Sequence, residues 1–391
     1  GGGGGSRRGV GFLEANRDVT AAPRFHGGMV GLGVGGCLQS VLALEDVAAL
    51  PGSWYNSCPS GAGGFSLGAS AAAMVSLARL HGRFALDSCA LARDGLEGHR
   101  EAVAALGLTL VPRQGTAPGV WLEGGYWLGR KRPLSSITQA WEALERGTQW
   151  HAWRPEFRDY VQVHQPARVL EELRVHGCLE AALEGLRPLT LIHGDFKLTN
   201  IYFLEAVESL EVTDAVVPCP PAGTGSWLRL IDWQWAGMGV GAADIAHTLC
   251  TSLASPIHSN PHLLDWLVSL YHRALAAQPL PPLRRERPLS LAELRRQVAM
   301  HIVRFVMDTI CFKWPAMSPE DFDRNRTACL HGMDRRDLAT QERNVCMAHV
   351  LALWLLQGAQ AETWPGFQTD VAAASLAAAK SPHADMFSVQ F

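Results

Sequence analysis

Apolar and polar positions follow two periods along this chain, and the places where one gives way to the other mark its chemistry. From Ser66 to Phe84 (SLGASAAAMVSLARLHGRF) apolar residues recur at helical spacing, at Ala73, Leu77, Leu80 and Phe84. The stretch is rich in Ala and opens on Ser66, a residue suited to an N-cap, so a helix is predicted. His81 falls near its end, where a packed face is expected. Leu38 to Leu44 reads as a strand ending in Glu45-Asp46. The Gly-rich stretch before it, Gly27 to Gly36, reads as a loop or hairpin turn, because no helix follows as a dinucleotide fingerprint would require. Arg113 to Pro133 is rich in Gly and Trp and reads as an irregular loop. Ser136 to Arg146 and Arg168 to Leu186 read as helices.

Two short apolar runs come next, Leu189 to Ile192 and Ile201 to Phe203, each strand-like. The polar segment between them is His193-Gly194-Asp195-Phe196-Lys197-Leu198-Thr199-Asn200. Glu205 to Trp227, with Pro218, Pro220 and Pro221, reads as an exposed loop inserted before a further strand. That strand, Leu228 to Ile231, delivers Asp232-Trp233-Gln234. A helical region starts near Ile245 and continues through His262 to Ala277. Pro279 to Pro288 breaks it. Ser290 to Phe312 and Glu342 to Ala359 read as two more helices. The first residues, five Gly followed by Ser6-Arg7-Arg8, read as a flexible tail.

Composition narrows the classes. The 391 residues suffice for two lobes, and 48% are hydrophobic, so a large core can be buried. A net charge of -3 gives no electrostatic footprint for nucleic acid. No apolar run is long enough to span a bilayer. The nine cysteines are scattered and contain no C-x-x-C pair, so neither a zinc site nor a disulfide framework is predicted. A cytoplasmic protein is expected. Among 34 basic residues only Lys131, Lys197, Lys313 and Lys380 are lysines, which makes Lys197 notable.

Three segments carry the chemistry. The first is the loop from His193 to Asn200, the second Ile231-Asp232-Trp233-Gln234, and the third GVGAADIAHTL with Asp244 at the start of a helix. A carboxylate two residues before a cation and five before a carboxamide is the order of the protein-kinase catalytic loop, H-R-D-x-x-x-x-N, with Gly194 at the Arg position. Phosphoryl transfer is mostly positioning and charge neutralisation. Asp195 is expected to take the acceptor hydroxyl's proton, and Lys197 to neutralise the transferring group. Asn200 and Asp232 are expected to ligate Mg²⁺. Asp244 is expected to cap its helix or pin the loop through His193 or its backbone. His193 is expected to orient the loop and Gln234 to bond locally. A metal-dependent hydrolase using His193, Asp195 and Asp232 is a weaker reading, because further His and carboxylate ligands at regular spacing are missing.

The chain resembles the aminoglycoside phosphotransferase and choline kinase group of the protein-kinase-like superfamily, and within it the CHK-kinase-like (ecdysteroid-kinase-like) branch. The residues that carry this are LIHGDFKLTNIYF, LIDWQWAGMGVGAADIAHTL and Leu264 to Leu275 with Tyr271. VLALEDV (Val41 to Val47) resembles the family's hinge strand, and the ending LARLHGRF its Leu-Ala-x-Leu-His pattern. The resemblance implies an α+β, two-lobed protein-kinase-like fold. Residues 1–47 would form a partial, small N-lobe with the hinge strand, and residues 48–391 a large, mainly helical C-lobe. It implies ATP and Mg²⁺ as cofactors, a small-molecule hydroxyl substrate, and adenine bonded by backbone groups near Leu44, Glu45 and Asp46. Neither nucleic acid nor a membrane is an expected partner.

The chain departs from the pattern upstream. The family places a lysine on its third strand, and no Lys precedes Lys131. Arg7 to Phe25 resembles the end of the lobe helix and its following loop, so the sequence is expected to begin inside the N-lobe. The alternative is a catalytically impaired, kinase-like binding module. Trp121, Trp127, Trp141, Trp150 and Trp153 are expected to serve packing, with an aromatic cage for a quaternary ammonium group as the other reading.

Overall fold

The computed structural model describes residues 25–32, 38–44, 54–55, 64–86, 110–111, 120–121, 124–125, 186–210, 220, 226–258, 260–278 and 289–312. Glu45, Asp46, the helices read at residues 136–146 and 342–359, and four of the five tryptophans of the aromatic cluster lie outside them. So does the helix read over 168–186, except for its last residue.

The described residues mix strands and helices. β1 (Phe25–Leu32) and β2 (Leu38–Leu44) pair antiparallel, with Phe25 opposite Leu44 and Leu32 opposite Leu38. The Gly-rich stretch is therefore strand as far as Leu32, although it reads as a loop or hairpin turn in sequence. Glycine weakens a strand but does not forbid one, and β2 supplies the partner that the local pattern cannot reveal. Leu44 lies at the open end of this hairpin, opposite Phe25.

α1 (Leu67–Arg83) follows its sequence signal closely. Ser66 is extended and its hydroxyl accepts from the Ala69 amide at 3.2 Å. Ala73, Leu77, Leu80 and Phe84 are all buried. Ala loses no rotamer freedom in a helix, and its small side chain lets neighbouring elements approach closely. α1 packs along α4 (Pro261–Ala276), which opens on Asn260 accepting from the His262 and Leu263 amides.

Two small sheets frame the central motif. In one, β3 (Trp54–Tyr55) pairs with β7 (Ile201–Leu204), and β7 with β8 (Leu228–Leu230), all antiparallel. In the other the order is β4 (Leu110–Val111), β5 (Val120–Trp121), β9 (Gly237–Val240), β6 (Leu189–Ile192). The β4–β5 and β5–β9 pairs are parallel and the β6–β9 pair antiparallel. β5 corrects the sequence reading, which has an irregular loop over Arg113 to Pro133, and β9 is a strand for which the sequence gives no reading. Gly237 and Gly239 carry no side-chain pattern, and β9 exists because β6 lies alongside it. Likewise Glu205–Ser209, read as the start of an exposed loop, forms a 3-10 turn that buries Val207 against α1.

α2 (Ala242–Thr251) and the short α3 (Ser255–His258) follow β9, and α5 (Leu291–Phe312) packs along α2. α5 is anchored to α4 by Arg295, whose guanidinium donates two bonds to Asp265, each 2.6 Å long. Among the described residues the core is one cluster. It takes in Met74 and Leu77 of α1, Phe196 of the loop, Ile201 and Phe203 of β7, Leu249 of α2 and Val298 of α5. The segment from His193 to Asn200 is thus held between two sheets and three helices. No helix among the described residues is long and apolar enough to cross a membrane.

Candidate active site

β6 ends at Ile192 and β7 begins at Ile201, so the eight residues between them span two different sheets. Such a crossing needs a sharp turn, and Gly194 makes it with φ +79°. A residue with a side chain is strained there, which accounts for glycine at the position where the protein-kinase loop has Arg.

α2 holds this loop along one face. Asp244 accepts from the His193 amide at 2.7 Å and from the Gly194 amide at 2.9 Å, one bond to each carboxylate oxygen. His247 Nε2 faces Asp195 at 3.6 Å. The Thr248 hydroxyl lies 3.2 Å from the Phe196 carbonyl and 2.8 Å from that of Asp244. Ser252 Oγ, just past the helix, accepts from the Leu198 amide at 2.9 Å. Helical spacing puts these four residues on one stripe, and each meets the next part of the loop.

Asp244 is buried and is the hub of the arrangement. Besides the two amides it accepts from His81 Nε2 of α1 at 3.3 Å, and His81 Nδ1 in turn meets the Tyr271 hydroxyl of α4 at 2.8 Å. Gly241 makes this possible. A Cβ there would come within 2.5 Å of His81 Nδ1 and 2.6 Å of the Tyr271 hydroxyl. Burial pushes the Asp244 pKa up. The bond and charge of His81, the charge of His193 and the His193 amide together outweigh it and hold the carboxyl below its ordinary range. The sequence reading of Asp244 as the loop's pin is correct, and His81 is more than a packed residue, since it orients that pin.

His193 also behaves as read. Its Nε2 donates to the Ile231 carbonyl at 2.9 Å, which leaves Nδ1 to accept from the Asp195 amide at 3.4 Å. The ring sits against Trp233, centroids 4.7 Å apart. The imidazole is thus committed to joining the loop to the end of β8.

Asp195, Lys197 and Asn200 converge. The Lys197 ammonium is 2.8 Å from Asp195 Oδ2. Asn200 Nδ2 donates to the Asp195 carbonyl at 2.9 Å and to Oδ2 at 3.1 Å. With both N–H groups so placed, the oxygen Oδ1 is what Asn200 has left to offer a cation; Thr199 Oγ1 approaches it at 3.4 Å.

Asp232 reaches the same neighbourhood from β8. Ile201 pairs with Leu230, and the Ile231 amide donates to the Asn200 carbonyl at 3.0 Å. The chain then turns sharply. Asp232 has φ +60° and ψ +57°, uncommon for a residue with a side chain, and its carboxylate is exposed. Gln234 Nε2 donates to Asp232 Oδ2 at 3.2 Å, the local bond read from sequence. Strain of this kind costs about 1–3 kcal/mol and collects at functional sites. An Asp side chain oxygen and an amide oxygen are hard donors, the chemistry that suits Mg²⁺. No cluster of three or more His, Cys, Asp or Glu able to hold a metal occurs among the described residues, so a cation here would complete its shell with water or phosphate oxygens.

His301 of α5 is buried, and its Nε2 has no hydrogen-bond partner among the described residues. Burial pushes its pKa down to about 4 from the ordinary 6.5, against the pull of the Asp244 charge. The unfolded chain therefore takes up this proton first as pH falls. Stability from neutral His301 is complete above about 6.5 and is lost progressively towards about 4. The shift corresponds to about 3 kcal/mol. Urea unfolding at pH 7 and at pH 4.5 should show this loss, and His301→Phe should reduce the difference.

No family model matches this sequence, and no curated protein does. Among solved structures, the chain is similar to a choline/ethanolamine kinase family protein from Mesorhizobium loti, with 13% identity over 88% of this chain and 82% of that one and a TM-score of 0.33. It is similar also to an ethanolamine kinase from Plasmodium vivax, with 12% identity over 91% and 74% of the two chains and a TM-score of 0.36. Scores this low leave the functional reading to the geometry of the site.

Proposed function

We propose that this protein is an ATP-dependent phosphotransferase whose acceptor is a hydroxyl of a small molecule. The observation that carries this is the convergence on one pinned loop of Asp195, Lys197 and Asn200, with Asp232 brought alongside by the β7–β8 pair. Asp195 accepts the hydroxyl proton as the hydroxyl attacks the γ-phosphorus. Lys197 balances the charge of the transferring group from the side of Oδ2. Asn200, through Oδ1, and Asp232 are the residues that would hold Mg²⁺, which when bound supplies charge neutralisation to the phosphates. In this reading residues 1–47 belong to the nucleotide-covering lobe, residues 48–391 form the larger lobe, and backbone groups near Leu44, Glu45 and Asp46 meet adenine. The protein acts in the cytoplasm.

Thermal unfolding with and without Mg-ATP tests the nucleotide part. Ligand at a hundred times its Kd adds about 2.7 kcal/mol, a rise of a few degrees in Tm. The rise should need both ATP and Mg²⁺ and should shrink in Asp232→Asn. A Tm that ignores Mg-ATP argues for a kinase-like binding module of another ligand.

A further inference from the structure

The two carboxylate oxygens of Asp195 have different company. Oδ2 receives the Lys197 ammonium at 2.8 Å and the Asn200 amide at 3.1 Å. Oδ1 faces His247 Nε2 at 3.6 Å, close but longer than a hydrogen bond. His247 is buried, and its ring is set by its surroundings. Phe305 of α5 lies against it with centroids 5.2 Å apart and planes at 41°. Its backbone is fixed in α2, where the Thr251 hydroxyl donates to its carbonyl at 2.7 Å. The neighbouring members of the same helical face, Asp244 and Thr248, already hold the loop residues on either side of Asp195.

We propose that His247 is a positioning residue for Asp195, and that Oδ1 is the oxygen that takes the acceptor's proton. The proposal rests on the reading of Asp195 as base. With two strong donors on Oδ2, the negative charge there is already satisfied, and Oδ1 keeps the more available lone pairs. Those two donors restrain Oδ2, and the buried ring of His247 faces Oδ1 from α2, so the carboxylate is bounded at both of its oxygens. The separation of His247 from Oδ1 leaves that oxygen room for an incoming hydroxyl. α5 therefore acts on the reaction at one remove, through Phe305, His247 and Asp195.

The test uses Mg-ATP with water as the acceptor, reading ADP release. His247→Leu keeps bulk but removes the ring nitrogen. It should lower kcat by about 10- to 100-fold, the usual cost of losing an outer-shell orienting group, with KM for ATP unchanged. His247→Gln places an amide near the position of Nε2 and should recover most of kcat, whereas His247→Asn, whose amide is too short, should not. A His247→Leu enzyme with native kcat, or a Gln variant as slow as the Asn variant, overturns the proposal. If His247→Leu does not fold, the Gln and Asn pair decides. A second readout is independent of turnover. In the NMR spectrum, Asp195→Asn should displace the His247 imidazole signals more than those of the buried His258. An unmoved His247 signal overturns the contact itself. Where the native protein releases no ADP to water, the NMR comparison alone decides the position of His247, and the phosphotransferase reading is judged by transfer to an alcohol.

Discussion

Asp195→Asn is expected to slow phosphoryl transfer by about 10²- to 10⁴-fold while Mg-ATP binding persists. The substitution keeps the shape of the side chain. The new amide oxygen can stay beside the Lys197 ammonium and the Asn200 amide, which now meet Oδ2 at 2.8 and 3.1 Å. The loop is held elsewhere, by Asp244, Thr248 and Ser252, so its backbone should not move. What disappears is the capacity to take a proton, together with the charge that orients the acceptor. A loss confined to kcat is the signature of an interaction made only in the transition state. Parallel measurement of ATP affinity by calorimetry separates this from a damaged nucleotide site. Equal turnover in the variant and the native protein would remove Asp195 from the chemistry.

Asp244→Ala is expected to be the most damaging single change to stability in the site. It leaves the His193 and Gly194 amides and His81 Nε2 without their acceptor in a buried place. Removing one partner of a buried charged pair costs about 3–5 kcal/mol. Asp244→Asn should fall between, because its amide oxygen serves one backbone N–H while its NH₂ opposes the other. The pH dependence has a definite sign. The folded carboxyl titrates below its ordinary value, so the unfolded chain binds more protons in the window between the two. The contribution of Asp244 is therefore complete above the ordinary carboxylate range and is lost as pH falls through the depressed folded value. Urea unfolding of the native protein and of Asp244→Asn at neutral pH and near pH 3 should show the gap between them closing in acid. A gap that widens in acid would contradict the burial and pairing described here. Transfer activity should drop as well, since Gly194 then loses a bond that keeps its left-handed turn.

What the chain discloses in advance depends on how local each feature is. Ser66 announces α1 because a cap and its first turn lie within four residues of one another. β6, the loop and β7 are visible for the same reason: apolar, polar and apolar runs follow one another without a gap in sequence. Asp232 is found because it follows directly on the apolar run Leu228 to Ile231. β9 is hidden, since Gly237 and Gly239 give no alternation and the element depends on a partner strand over forty residues earlier. His247 is hidden for a related reason. Nothing about a histidine on an apolar helix distinguishes a packed ring from one that meets a carboxylate more than fifty residues upstream in sequence; the crossing of α2 over the loop decides it. His81 shows the intermediate case. Its place at the end of α1 predicts burial, and only Gly241 and Tyr271, brought in by β9 and α4, turn it into a support for Asp244.

The central claim is that this loop transfers the γ-phosphoryl group of ATP to an alcohol. The measurement that meets it most directly is transfer of label from γ-labelled ATP, with Mg²⁺, to a mixed set of small hydroxyl compounds, with the native protein and Asp195→Asn side by side. Labelled phosphoester formed by the native protein and almost none by the variant is the predicted result. No labelled ester from either protein, or equal amounts from both, would contradict it.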